Sequence, residues 1–108
     1  HWRQALITAI VEFTLPQPIT RDQARDTFQG TAPRYRGMPG LIRKTYFVTP
    51  DGSQAGGIYL WQSREAAEAV YTAEWAAFVR GKYGSDPRIT WLESPVVVDN
   101  VTDTIVSD

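Results

Sequence analysis

The sequence predicts an α+β domain in the order β-α-β-β-α-β, the ferredoxin-like pattern: a four-stranded antiparallel sheet with both helices on one face. Three observations predict it. Residues 4–14, QALITAIVEFT, are rich in Ile, Val, Thr and Phe. An Asp51-Gly52 turn separates two further strand-like runs. The two longer intervals between strand segments carry helix caps, at Thr20 and at Ser63 and Thr72. The 108 residues read as one domain, 1–108, since domains cluster at about 100–150 residues.

The first strand places Ile7, Ala9, Val11 and Phe13 on one face and Leu6, Thr8, Ile10 and Glu12 on the other. Both faces are largely apolar, which predicts a central strand. Leu15-Pro16-Gln17-Pro18 leaves the sheet, because proline cannot donate to a ladder. Thr20 and Gln23 form a capping box with Asp22 in the first turn, so a helix starts near Arg21 and carries Ala24 and Phe28 on one face. Pro33 kinks its far end or opens another short turn, and Gly37-Met38-Pro39-Gly40 breaks it. Residues 41–49 and 54–62 pair as a hairpin across Pro50-Asp51-Gly52-Ser53. Ser63 caps a second helix, Thr72 caps a further piece with Trp75, Phe78 and Val79 on one core-facing stripe, and Gly81 or Gly84 ends it. A fourth strand runs from about Arg88 to Val98, with Pro95 at an edge or bulge, followed by an acidic tail from Asp99. Two helices on one face leave the other face bare, with Leu41, Phe47, Ile58 and Leu60 among its apolar residues. Face-to-face packing of two copies, a homodimer, would cover it.

Composition removes whole classes of chemistry. There is no cysteine, so thiolate zinc sites, iron–sulfur clusters and cysteine nucleophiles are excluded. The one histidine is His1, read as a remnant of expression because no initiator Met precedes it; histidine triads and multi-histidine metal sites go with it. A net charge of −1 gives no general attraction to nucleic acid or anionic lipid. No apolar run approaches the ~18–20 residues of a membrane span, and no signal-peptide pattern opens the chain, so the expected location is cytoplasmic. No dinucleotide-binding glycine pattern follows a strand, and Gly56-Gly57 lies inside one, so it is no phosphate loop. The expectation is therefore no metal and no cofactor. Chemistry must rest on tyrosine, tryptophan, lysine or arginine and carboxylates.

Pro39-Gly40-Leu41-Ile42-Arg43-Lys44, then Ala55-Gly56-Gly57-Ile58-Tyr59-Leu60-Trp61, then Ser63-Arg64-Glu65-Ala66-Ala67 resemble the YdhR-type monooxygenases of the dimeric α+β barrel superfamily, which includes the antibiotic-biosynthesis monooxygenases. Tyr83-Gly84, Pro87 and Val96-Val97-Val98-Asp99-Asn100 fit the same family. The resemblance spans residues 6–101. It implies a homodimer and an oxygenase that works on a small aromatic or quinol-type compound without a cofactor. It also implies that Trp61 lies on the sheet face that holds the substrate pocket. Other members of the superfamily degrade haem with a histidine ligand, isomerise lactones or have no known activity. The haem branch does not fit a chain whose histidine lies far from the matching helix.

The hairpin register then selects candidates. With Pro50 facing Ser53, Tyr46 opposes Gly57, Lys44 opposes Tyr59 and Ile42 opposes Trp61, so these six share one face. Lys44 on a helix-covered face costs desolvation unless it is paired or partly wet. It either holds a substrate oxyanion or reacts with a lowered pKa, or its stem packs on Tyr59 or Trp61 while the ammonium reaches water or pairs with Glu12 or Glu93. The expected catalytic residues are Lys44 and Tyr59. The expected substrate contacts are Trp61, Tyr46, Ile42 and Gly57, with Tyr71 and Trp75 as a wall; the same aromatic residues also suit a plain core. Arg34, Arg36 and Arg43 form a basic cluster with Lys44 that either steers an anion or is a solvated surface, and Trp91 on the last strand could meet a partner subunit. Two functions fit: a cofactor-independent oxygenase, or a non-redox protein, either binding a small molecule or acting as an isomerase or cyclase.

Overall fold

In a computed structural model that describes residues 5–108, a four-stranded antiparallel sheet carries its helices on one face. Its strands are β1 (Ile7–Thr14), β2 (Leu41–Val48), β3 (Gln54–Trp61) and β4 (Arg88–Glu93), in the order β2-β3-β1-β4. The helices are α1 (Arg21–Thr31), α2 (Arg64–Val70) and α3 (Ala73–Tyr83). β1 is central, as its two apolar faces require. His1 and Gln4 lie outside the described residues.

The local signals act as their chemistry dictates. Thr20 Oγ1 accepts from the Gln23 amide at 3.1 Å and Gln23 Oε1 from the Thr20 amide at 2.9 Å, so two helix-end donors are satisfied reciprocally. Ser63 and Thr72 cap α2 and α3 through the amides of Ala66 and Trp75. Gly84, in the left-handed region at φ +89, ends α3. Pro33 opens a separate 3-10 turn, Ala32–Arg34, which delivers Tyr35 over the sheet. The core lies between sheet and helices: Ile7, Ala9, Val11 and Phe13 of β1 and Ala55, Tyr59 and Trp61 of β3 pack against Ala24, Phe28, Ala67, Trp75 and Val79.

Three expectations are corrected. The register holds at Tyr46 opposite Gly57 and Lys44 opposite Tyr59, but Leu41, not Ile42, opposes Trp61. A bulge between Leu41 and Arg43 leaves Ile42 unpaired, 46 % exposed, and turns Leu41 into the core. Leu41 therefore leaves the bare face. Phe78 is not a core residue: it is 37 % exposed, with the Arg34 guanidinium 4.2 Å from its ring centre. The last strand does not run on to Val98. Ser94 and Pro95 end it, and Val96–Asp99 (β5) pairs with Thr104–Ser107 (β6) in a second, two-stranded sheet. Asp99 closes that hairpin by accepting from the amides of Val101 and Thr102, at 2.9 and 3.3 Å. The hairpin is tied back to the main sheet at both edges. The Ser94 amide donates to the Leu6 carbonyl at 3.0 Å, and Arg43 of β2 meets the Asp99 carboxylate at 2.8 Å.

The face away from the helices carries Ile58 and Leu92, 42 % and 46 % exposed, with Phe47 and Leu60 half-buried. Val96, Val98 and Ile105 of the hairpin are exposed as well.

Candidate functional site

Lys44 occupies the middle of β2, and its side chain crosses toward the helices over Gly57. A Cβ on Gly57 would sit 2.9 Å from Lys44 Cε and 3.0 Å from Tyr59 Cε1, so the missing side chain is what lets the lysine stem pass. The ammonium ends in a cage of ring faces. Nζ lies 3.4 Å from the ring centre of Tyr35, 3.8 Å from that of Tyr46 and 4.6 Å from that of Tyr59. Among the described residues it has no carboxylate partner: neither Glu12, which pairs with Arg88 at 3.1 Å, nor Glu93 pairs with it. Every buried side-chain polar atom among them finds a hydrogen bond, so Nζ, which makes none, is not sealed off.

Burial, with repulsion from the nearby Arg34 guanidinium, pulls Lys44 down to about 7. The ring faces pull the other way, because their quadrupoles favour the charged form. Burial pushes the Tyr46 and Tyr71 hydroxyls up. Tyr59 rises furthest, from burial first and then from the neighbouring tyrosines. Tyr83 is pushed up to about 12. These phenols stay protonated through the neutral range and act as hydrogen-bond donors, not bases.

The rings are positioned by indole donors. Trp75 Nε1 donates to the Tyr35 hydroxyl at 3.3 Å, and Trp61 Nε1 to the Tyr71 hydroxyl at 3.1 Å. Tyr46 and Thr31 share a hydrogen bond at 2.9 Å. Trp61 is fully buried, its ring parallel to Tyr59 with centres 5.9 Å apart. Tyr71 stands edge-on to both.

Three cavities meet at these residues. An inner crevice of about 30 Å³, room for roughly one water, is lined by Lys44, Tyr35, Tyr46, Gly57, Tyr59 and Trp75 among others. Outside it, a pocket of about 270 Å³ opens at the edge of β2, and Tyr35, Lys44 and Tyr46 line it too, with Arg36, Ile42 and Arg43. A larger open groove of about 980 Å³ runs between α1 and β2, and Tyr46 and Phe28 separate it from the crevice. Lys44, Tyr46, Gly57, Tyr59 and Trp75 are thus brought together. Trp61 and Tyr71 form the layer behind Tyr59, and Ile42 stands on the outer rim. Tyr35 completes the cage and was not singled out from the sequence, where it reads only as a residue between Arg34 and Arg36. The arginines do not act as one cluster: Arg34 stacks on Phe78, Arg43 pairs with Asp99, and Arg36 faces the outer pocket. Trp91 is half-buried, beneath Arg64 at 3.9 Å. None of the described helices is long and apolar enough to cross a membrane.

Comparison with known proteins places the fold and the family. The fold is shared with a monooxygenase from Streptomyces coelicolor, ActVA-Orf6, solved with nanaomycin D: 19 % identity, TM-score 0.63, covering 83 % of this chain and 88 % of that one. SnoaB of Streptomyces nogalater, a cofactor-independent oxygenase, matches at 18 % identity and TM-score 0.60, over 83 % and 93 % of the two chains. NE2512 of Nitrosomonas europaea, a protein of unknown function, matches at 14 % and TM-score 0.64, over 86 % and 92 %. At these identities the likeness is one of fold. No curated protein sequence matches the chain. The family described as "Putative mono-oxygenase ydhR" matches residues 9–82, from the third residue of β1 to the end of α3. With two thirds of its length covered by that match, the chain belongs to the ydhR mono-oxygenase family.

Proposed function

We propose that the protein is a cofactor-independent monooxygenase for a small aromatic or quinol-type compound, with Lys44 holding the substrate's oxyanion. The observation that carries this reading is the Lys44 ammonium, set among three tyrosine rings without an ion-pair partner among the described residues, on a residue that lines both the inner crevice and the outer pocket. The crevice is too small for a ring, so the substrate ring lies in the outer pocket against Tyr35 and Tyr46, its ionised oxygen toward Nζ. An aryl oxide can pass one electron to dioxygen, and the two radicals then combine at a ring carbon. The resulting hydroperoxide loses water. One oxygen atom stays on carbon as a carbonyl, and the other leaves as water with the two hydrogens the substrate gives up. No external reductant is consumed. The protein's part is electrostatic: a cation and neutral phenol donors in a low-dielectric site stabilise the anion that reacts. Tyr59, held protonated by its burial, supports the cage and donates rather than accepts.

The family match and the fold shared with SnoaB and ActVA-Orf6 support the oxygenase reading. The bare sheet face with Ile58 and Leu92, together with the exposed Val96 and Val98 of the hairpin, supports a homodimer. Oxygen consumption on adding naphthols or polyphenols to metal-stripped protein tests the reaction. Uptake above the spontaneous rate supports it, and uptake equal to that rate with every such substrate contradicts it.

A further inference from the structure

We propose that Lys44 also captures carbonyl compounds, forming an imine with an aldehyde or ketone that bears an anionic group and enters through the outer pocket. This goes beyond the oxygenase reading and does not rest on it, because imine formation needs no dioxygen.

A buried lysine kept for structure is ordinarily paired, and Lys44 has neither ion pair nor hydrogen bond among the described residues. Its neighbours are ring faces, which fix the direction of Nζ without occupying its lone pair through a hydrogen bond. The stem reaches that cage by crossing Gly57, where a Cβ would crowd it. Lys44 also borders an opening. The outer pocket of about 270 Å³ is lined by Lys44 and is large enough for a small aromatic carbonyl compound. An amine desolvated in an apolar site and set beside another cation is the arrangement that makes lysine a nucleophile. Burial, with repulsion from Arg34, lowers Lys44 to about 7.

The chemistry balances without an oxidant or reductant. The Nζ lone pair attacks the carbonyl carbon, and the C=O pair moves to oxygen, giving a carbinolamine. Loss of water then leaves C=N, the oxygen departing with the two hydrogens of the neutral amine. The Tyr46 hydroxyl, protonated and on a residue that lines both crevice and pocket, can relay this transfer, giving its proton to the leaving oxygen and regaining one from the nitrogen. The anionic preference comes from the mouth. Arg36 and Arg43 both line the outer pocket, and Arg36 has no ion-pair partner among the described residues.

The sequence makes the test clean, since Lys44 and Lys82 are its two lysines, and Lys82 is exposed near the end of α3. The full chain is incubated under nitrogen at neutral pH with 4-carboxybenzaldehyde and sodium cyanoborohydride, and its peptides are mapped by mass spectrometry. The proposal expects Lys44 to carry at least about ten times the label of Lys82. Equal labelling, or label mainly on Lys82, overturns it. Arg36→Ala should lower Lys44 labelling by 4-carboxybenzaldehyde several-fold and leave labelling by benzaldehyde unchanged. If the two aldehydes label wild-type Lys44 equally, the anionic preference is wrong. Dioxygen is absent throughout, so failure here leaves the oxygenase reading standing, and failure of oxygen uptake leaves this one standing.

Discussion

The Lys44 ammonium lies 3.4 Å from the centre of the Tyr35 ring, and the Tyr35 hydroxyl is in turn held by the indole of Trp75 at 3.3 Å. A residue from the loop before β2 and one from α3 thereby fix the position of a cation on the sheet. The arrangement costs folding free energy, because the charge is drawn out of water with no anion to receive it.

That cost has a definite pH dependence. Lys44 titrates at about 7 when folded against an ordinary value of 10.5. Between those two values the unfolded chain binds more protons, so stability rises with pH across the window; below about 7 the full cost of the buried charge is felt. Replacing Lys44 with Met removes the charge and keeps the stem. Lys44→Met should be more stable than wild type at pH 6, by about 1–3 kcal/mol, and the gap should close as pH approaches 10. Denaturant unfolding at several pH values measures it. A gap that does not change with pH contradicts the placement of Lys44.

Adjacent glycines should answer very differently to alanine. At Gly56 a Cβ would run into the Val11 carbonyl oxygen on the central strand, and backbone cannot step aside. Gly56→Ala should cost more than about 3 kcal/mol or prevent folding. At Gly57 the obstacles are Lys44 Cε and the Tyr59 ring edge, and the lysine stem is flexible. Gly57→Ala should cost under about 1.5 kcal/mol yet displace the ammonium, lowering affinity for anionic aromatic ligands. Parallel thermal melts and ligand titrations separate the two. Equal destabilisation by both would contradict the strand approach at Gly56.

Much of this was legible because it is local. The capping box at Thr20, the caps at Ser63 and Thr72 and the Asp51-Gly52 turn each bind within four residues, so spacing alone locates them. The turn also carries the register as far as Lys44. It fails at Ile42 because a bulge is set by how the strand end packs against Trp61, and no residue type announces it. The β5–β6 hairpin does not emerge from the sequence although Pro95 marks the break: the three consecutive valines, Val96 to Val98, read as the end of the fourth strand, and Thr104, Ile105 and Val106 read as part of an acidic tail when charge is weighed above β-branching. Tyr35 was missed because the 3-10 turn that swings it over Lys44 depends on where α1 ends. Trp61 belongs to the core layer behind Tyr59, so Trp61→Ala reports on folding, and Trp61→Phe is the variant that probes its hydrogen bond to Tyr71.

The bare sheet face leads to the expected assembly. Sedimentation at micromolar concentration should give twice the 12.1 kDa chain mass, and Ile58→Glu with Leu92→Glu should shift it to the monomer. Obligate dimer interfaces commonly bury over ~2,000 Å², and carboxylates buried at the centre of one without cationic partners carry a large desolvation cost. A wild-type monomer at that concentration contradicts the dimer.

The most direct test of the central claim is the fate of isotopically labelled dioxygen with a hydroxynaphthalene substrate, measured for wild type and Lys44→Met. One labelled oxygen atom should appear in the quinone product and one in water, with turnover lowered at least about tenfold in Lys44→Met by loss of the cation that holds the reacting oxyanion. Label absent from the product, or equal turnover by the two proteins, would contradict it.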